Sequence, residues 1–274
     1  MGGDFVEVEK LIFLQSFALA WHWANSAWAL VEAKGIYKLL GEKEYARLKA
    51  NSENLSRYFY PQLDGKYAIN LFMNNFICPL PVANHVFCEN ALKNATRIGT
   101  KQLIVINQGL STQLYDRKNL KVFDINNPDL SDIVTALNKL ADFDSSAPAF
   151  AFLGSMPIFT DKRDFKNLLD TLGAMFTAGS SVVLSYGDEG FFSDISPKGP
   201  AFIKEISKIN QDNGYSYSEM EKLLSSRGFL IYEHITSNNM QQQYFENHNA
   251  LNMTNLTAIE NVNYILAVKK EPRK

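Results

Sequence analysis

The sequence predicts an α/β fold in which a doubly wound sheet carries helices on both faces beneath a helical N-terminal region. Three observations predict it. Residues 1–98 read mainly as helices. From Gly99 onward, short runs of β-branched and aromatic residues alternate with amphipathic stretches of helical length. Between Gly99 and Pro128 the chain reads strand, glycine turn, polar connection, and a second strand ending in an acid. That is how a doubly wound fold opens a nucleotide site at the carboxyl ends of its strands.

The elements follow in order. Val6 to Leu40 reads as helix broken near Gly35, with Leu14, Phe17, Leu19, Trp21 and Trp28 on a wide apolar face. Trp21, Trp23 and Trp28 either pack between helices or wall an apolar pocket. Leu11 to Val31 lacks charge but is interrupted by Gln15, His22, Asn25 and Ser26. Acids rather than bases precede it, so a buried helix is expected instead of a membrane span or signal peptide. Glu42 to Leu55 is a second helix, Asp64-Gly65 a turn, and Lys66 to Ile77 helical or mixed. Pro79 and Pro81 break the chain before a helix over Val82 to Thr96.

Gln102 to Ile106 is the first strand, ending at Asn107-Gln108-Gly109, where glycine allows close backbone approach. Ser111 to Asn119 is a polar connection, and Lys121 to Phe123 is a strand ending on Asp124. An acid there can accept hydrogen bonds from a ribose diol. Asp129 to Ala141 is one helix and Ala149 to Leu153 a strand. Helix Asp161 to Phe176, capped by Thr160 and Asp161, leads through Gly179 to strand Ser181 to Tyr186. A loop over Ser193 to Pro200 precedes helix Phe202 to Ile209. Helix Ser218 to Arg227 carries a capping box of Ser218 and Glu221. Strands Phe229 to His234 and Val262 to Val268 close the pattern, before a basic tail over Lys269 to Lys274.

Gly99, Gln102, Gly109, Leu110, Thr112, Val122, Phe123, Asp124 and Pro128 match, in order, G-x-x-Q-V-V-x-L-G-A-G-L-D-T-R followed by V-F-E-V-D-x-P. The stretch therefore resembles motif I of class I S-adenosylmethionine-dependent methyltransferases. More narrowly, it is similar to the leucine carboxyl methyltransferase-like family, which includes polyketide O-methyltransferases. The resemblance implies a Rossmann-like class I methyltransferase sheet, residues 1–98 as a helical cap and residues 99–274 as the core of a single domain. It implies S-adenosylmethionine as cofactor and a small-molecule acceptor. Asn107, Gln108, Gly109, Leu110, Asp124, Gly154, Ser155 and Asn84 are the cofactor-site residues it points to. The chain departs from the family at several of these. Asn107 stands for the first motif glycine and Ser111 for its aspartate. Asn84 replaces an arginine that meets the cofactor carboxylate; Arg57, Lys93 and Arg97 are the nearby cations that could stand in. Gly154-Ser155 replaces Glu-Gly, whose glutamate faces the pocket. After Asp124 the chain has room for one helix only, so one edge strand of the usual seven is expected to be missing or remodelled. Such departures also fit a methyltransferase-like protein that binds a ligand or partner without transfer, or a remodelled site with other chemistry.

A net charge of −2 over 274 residues gives no electrostatic case for nucleic acid. Cys78 and Cys88 have neither zinc-site nor disulfide-framework spacing, so a reduced, cytoplasmic protein is expected. His22, His85, His234 and His248 belong to no recognisable triad, and His22, between tryptophans, is expected to be a hydrogen-bonded packing residue. No G-x-S-x-G, P-loop or H-E-x-x-H occurs, so no catalytic residue is nominated.

Overall fold

The computed structural model describes residues 3–115, 119–127, 129–193, 198–207 and 213–271. Pro128, residues 194–197 of the Ser193 to Pro200 loop, Ile209 and residues 272–274 of the basic tail lie outside them.

The N-terminal third is helical: α1 (Gly3–Ala24), α2 (Lys34–Leu40), α3 (Glu42–Phe59), α4 (Gly65–Phe72) and α5 (Pro79–Arg97). The break in the first long helix falls at residues 25–33, not near Gly35. The Asn25 side chain donates to Trp21 O at 2.9 Å, and His22 Nε2 accepts the Leu30 N–H at 3.0 Å, so polar side chains hold the loop that glycine was expected to make. Gly35 lies inside α2. Pro79 and Pro81 do not break the chain but occupy the first turn of α5, where their missing N–H has no helical partner to lose. A π-helical turn, Met73–Ile77, joins α4 to α5.

The sheet has six strands among the described residues: β1 (Gln102–Ile106), β2 (Lys121–Ile125), β3 (Ala149–Gly154), β4 (Ser181–Gly187), β5 (Phe229–Ile235) and β6 (Val262–Lys269). Their order is β2-β1-β3-β4-β6-β5. The first four are mutually parallel, and β6 runs antiparallel to both β4 and β5. This is the expected doubly wound α/β sheet, with six strands among the described residues where the resemblance implied seven. Between β2 and β3 stands α6 (Leu130–Asn138) alone, as the short spacing after Asp124 requires.

Strand residues alternate between two cores with the period of two that a sheet imposes. Leu103, Val105, Phe150 and Phe152 face one core with α1 and α5. Ile104, Ile106, Ala151 and Leu153 face the other, with α6, α8 (Lys162–Met175) and α11 (Tyr217–Ser225), once the short α7 (Met156–Phe159), α9 (Glu189–Phe192) and α10 (Lys198–Ser207) are counted. Helix α8 uses the expected stripe of Phe165, Leu168, Leu169 and Leu172. Asp161 precedes it with extended backbone but makes no side-chain cap, so the Thr160 and Asp161 cap is not formed. The capping box on α11 is Ser216 with Glu219, two residues before the expected pair. Ser216 has non-helical backbone (φ −69°, ψ 160°), which leaves Tyr217 as the first helical residue and puts Glu219 at the reciprocal position. The short α12 (Ser237–Met240) and α13 (Glu246–Asn252) flank a second π-helical turn. No described helix is long and apolar enough to cross a membrane.

Candidate active site

Strand β1 has β2 on one side and β3 on the other. The chain therefore leaves β1 in one direction and returns on the other, opening a crevice at the carboxyl ends of β1 and β3. The Asn107-Gln108-Gly109 turn and Gly154-Ser155 meet there, as the sequence led us to expect.

Asn107 takes a backbone conformation that favours glycine. Its φ is +52°, a left-handed conformation that asparagine tolerates better than most residues. Its side chain clamps the end of β2: Nδ2 donates to Asn127 O and Oδ1 accepts the Asn127 N–H, both at 2.8 Å. Gly109, at φ +61°, starts a 3-10 turn, Gly109–Leu114, where a polar connection was expected. The N–H groups of the turn are already engaged. Gly109 N–H donates to Asn126 Oδ1 at 3.2 Å, and Leu110 N–H to Ser16 Oγ on α1 at 3.1 Å.

Asp124 is exposed at the end of β2. Thr112 Oγ1 donates to one carboxylate oxygen at 3.0 Å and Asn126 Nδ2 to the other at 2.7 Å, which fixes its orientation. Ser111 has a buried hydroxyl without a partner.

The crevice itself holds the Gln108 side chain. Its Nε2 donates to Ile106 O at 2.9 Å and Leu153 O at 3.2 Å, the carbonyls at the ends of β1 and β3. Gly154 makes room for it: a Cβ on Gly154 would lie 2.5 Å from Gln108 Nε2. Ser155 Oγ accepts from Asn84 Nδ2 at 2.6 Å and lies 3.1 Å from Ser185 Oγ. Asn84, Ser155 and Ser185 are all buried, and Asn84 Oδ1 has no partner. Arg57, Lys93 and Arg97 are exposed, and none lines the adjoining cavity, so no described cation takes the place of the missing arginine there.

That cavity, ≈ 460 Å³ including its open mouth, lies between α1, the α4–α5 junction, α7 and α10, with Asn84 and Ser155 in its wall. Trp21 instead packs in the core against Phe17 and Tyr45, Trp23 sits against Tyr37, and Trp28 is exposed, so the tryptophans do not line it.

The histidines are not arranged for proton transfer. His22 accepts from the Leu30 N–H and lies 4.8 Å, ring to ring, from His248. Burial lowers its pKa to about 3, with His248 as a smaller cause. His85 is buried edge-on to Phe152, and burial alone lowers its pKa to about 3. Among the described residues no group of His, Cys, Asp or Glu could hold a metal ion. Cys78 and Cys88 are free and buried, and burial raises both thiol pKa values.

The sequence named the Asn107-Gln108-Gly109 turn, Asp124, Asn84 and Ser155 as cofactor-site candidates, and the fold brings Asp124 beside the turn and Asn84 against Ser155. Sequence reasoning missed Ser16, Asn126 and Ser185. Asn126, two residues past Asp124, carried a local signal, whereas Ser16 reaches the turn only through packing across 94 positions.

No protein-family model matches the chain. The chain is similar to the "Putative S-adenosyl-L-methionine-dependent methyltransferase YktD" of Bacillus subtilis (strain 168), at 24% identity over 303 residues, covering 94% of this chain and 96% of that protein. Among solved structures, it is similar to a DUF574 family protein from Streptomyces avermitilis MA-4680 (TM-score 0.49, 15% identity, 80% of this chain and 97% of that one). It is also similar to magnesium protoporphyrin IX methyltransferase from Synechocystis PCC 6803 with bound SAH (TM-score 0.42, 11% identity, 85% and 97%).

Proposed function

We propose that the chain is an S-adenosylmethionine-dependent methyltransferase acting on a carboxylate or hydroxyl oxygen of a small molecule. Similarity to the Bacillus subtilis protein along nearly the whole chain supports this, and one arrangement carries it. The positive-φ turn at Asn107 and Gly109 lies beside an exposed, oriented Asp124 at the switch point of the sheet. In this proposal the kinship is with the leucine carboxyl methyltransferase-like family, with residues 1–98 as cap and residues 99–274 as core of one domain.

The residues fit the cofactor's nucleoside end. Asp124 would accept hydrogen bonds from a ribose diol, and the turn would let a ligand approach the backbone closely. At the crevice the fit requires Gln108 to turn aside, because its carboxamide already pairs with both strand-end carbonyls. The cofactor would supply an electrophilic methyl group. The chain would hold donor and acceptor in line, and the apolar cavity wall would exclude water. Asn84 and Ser155, which the resemblance points to as cofactor-site residues, take a different role in this proposal: as part of the cavity wall they would orient the acceptor oxygen.

Calorimetric titration with S-adenosylmethionine and S-adenosylhomocysteine tests this. Micromolar binding is expected. Asp124→Ala is expected to weaken it by about 1–3 kcal/mol through loss of the ribose bonds. Unchanged affinity in the folded variant would remove Asp124 from the site. The Gln108 pairing favours a second reading, a methyltransferase-like protein that binds a ligand without transferring a methyl group. An absence of binding at millimolar cofactor by folded protein would establish that reading over the first.

A further inference from the structure

The cavity beside Ser155 has a composition that selects its ligand. Its described lining is Leu14, Phe76, Leu80, Phe159 and similar apolar groups, with Gln15, Asn84 and Ser155 as the polar members and no charged residue. Asn84 and Ser155 are 5% and 2% exposed, so their polarity is spent inside the cavity wall. Asn84 offers one amide atom to Ser155 and leaves the other, Oδ1 as placed, buried without a partner. A buried polar atom without a partner is costly, and a ligand group that pairs with it removes that cost.

We propose that this cavity binds a neutral, largely apolar small molecule through a hydroxyl group seated against Asn84, and that it discriminates against the corresponding carboxylate. Two arguments lead there. A carboxylate would enter without a cation to pair with among the described residues, and burying an unpaired charge is far more costly than burying a hydroxyl. A hydroxyl both donates and accepts, so it pairs with Asn84 whichever way the amide is turned. Any methyl transfer to that hydroxyl rests on the function proposed above; the binding preference does not.

The test is a matched pair of probes, 1-naphthol and 1-naphthoate, titrated into the full-length protein at neutral pH without cofactor and followed by calorimetry. Naphthol is expected to bind at least about tenfold more tightly than naphthoate. Asn84→Leu is expected to lower naphthol affinity about tenfold. Equal or tighter binding of naphthoate overturns the proposal. So does failure of both probes to bind at millimolar concentration, or naphthol affinity unchanged in folded Asn84→Leu. If the leucine variant fails to fold, the wild-type pair decides alone. Cofactor titration runs separately. Cofactor binding without naphthol binding overturns this inference while leaving the methyltransferase proposal standing, and the reverse outcome separates them the other way.

Discussion

Gly154→Ala is expected to cost about 2–4 kcal/mol of stability, and adding Gln108→Ala is expected to return part of that loss. Two terms make up the cost. A Cβ at position 154 would sit 2.5, 2.6 and 2.8 Å from Nε2, Oε1 and Cδ of Gln108, closer than real atoms approach. The carboxamide would have to move, breaking its bonds to Ile106 O and Leu153 O, each worth about 0.5–1.5 kcal/mol net. Gly154 also has φ +52°, which adds about 1–2 kcal/mol for a residue with a side chain. Only the first term disappears when Gln108 is shortened. Urea denaturation of both single variants and the double variant should therefore show a coupling energy above about 1 kcal/mol. Costs that add within about 0.5 kcal/mol would show that Gln108 and Gly154 do not depend on each other.

That dependence changes how the departures from the family motif are understood. The motif has alanine at the position of Gln108 and glutamate at that of Gly154. In this chain the long polar side chain is on the β1 side and the glycine on the β3 side. Along the sequence these are two unrelated losses, 46 residues apart. In the crevice they are one exchange, in which a neutral carboxamide fills the space the missing Cβ leaves open. The consequence for function is electrostatic. The crevice holds a neutral carboxamide where the resembled motif carries a carboxylate, and the Ile106 and Leu153 carbonyls are paired from within.

The strands were legible because each is a short apolar run bounded by glycine, asparagine or a polar loop, a signal contained in neighbouring residues. The turn at Asn107-Gln108-Gly109 was legible for the same reason. Its engagement was not. Ser16 meets Leu110, Gln108 meets Leu153 and Asn84 meets Ser155 only after the chain has folded, and no periodicity encodes those pairs. The shifted capping box on α11 shows the limit locally. Ser216 and Ser218 both precede an acid by three residues, and backbone geometry decides between them. The segment 237–252 went unassigned because a π-helical turn interrupts the 3.6-residue repeat that marks a helix.

Acid is expected to destabilise the fold well above the range where carboxylates titrate. His22 and His85 have ordinary pKa values of 6.5, lowered to about 3 in the fold by burial. Between those values the unfolded chain binds more protons than the folded one. Their contribution to stability is therefore complete above about pH 6.5 and is lost as pH falls toward about 3. His22 has a direct reason to resist protonation. Its Nε2 already accepts the Leu30 N–H, so a proton there would set two donors against each other, and the His248 ring stands 4.8 Å away. His85 faces Phe152, and its Nδ1 has no partner to stabilise a charge. Each ring should cost about 2 kcal/mol between about pH 7 and pH 5, so together they remove about 4 kcal/mol. The half-buried His234 and His248, whose pKa values burial also lowers, act in the same direction. Asp129, Asp144 and Asp170 do not contribute in this window, because serine and lysine partners hold their carboxyls below the usual value and their loss comes at lower pH. Urea unfolding at the two pH values measures the sum. His85→Leu should remove about 2 kcal/mol of the pH dependence. His22→Gln, whose side-chain oxygen can still accept from Leu30, should remove a similar amount while retaining the loop over residues 25–33, with the remainder left to His234 and His248. A pH dependence unchanged in both variants would place the acid sensitivity elsewhere in the molecule.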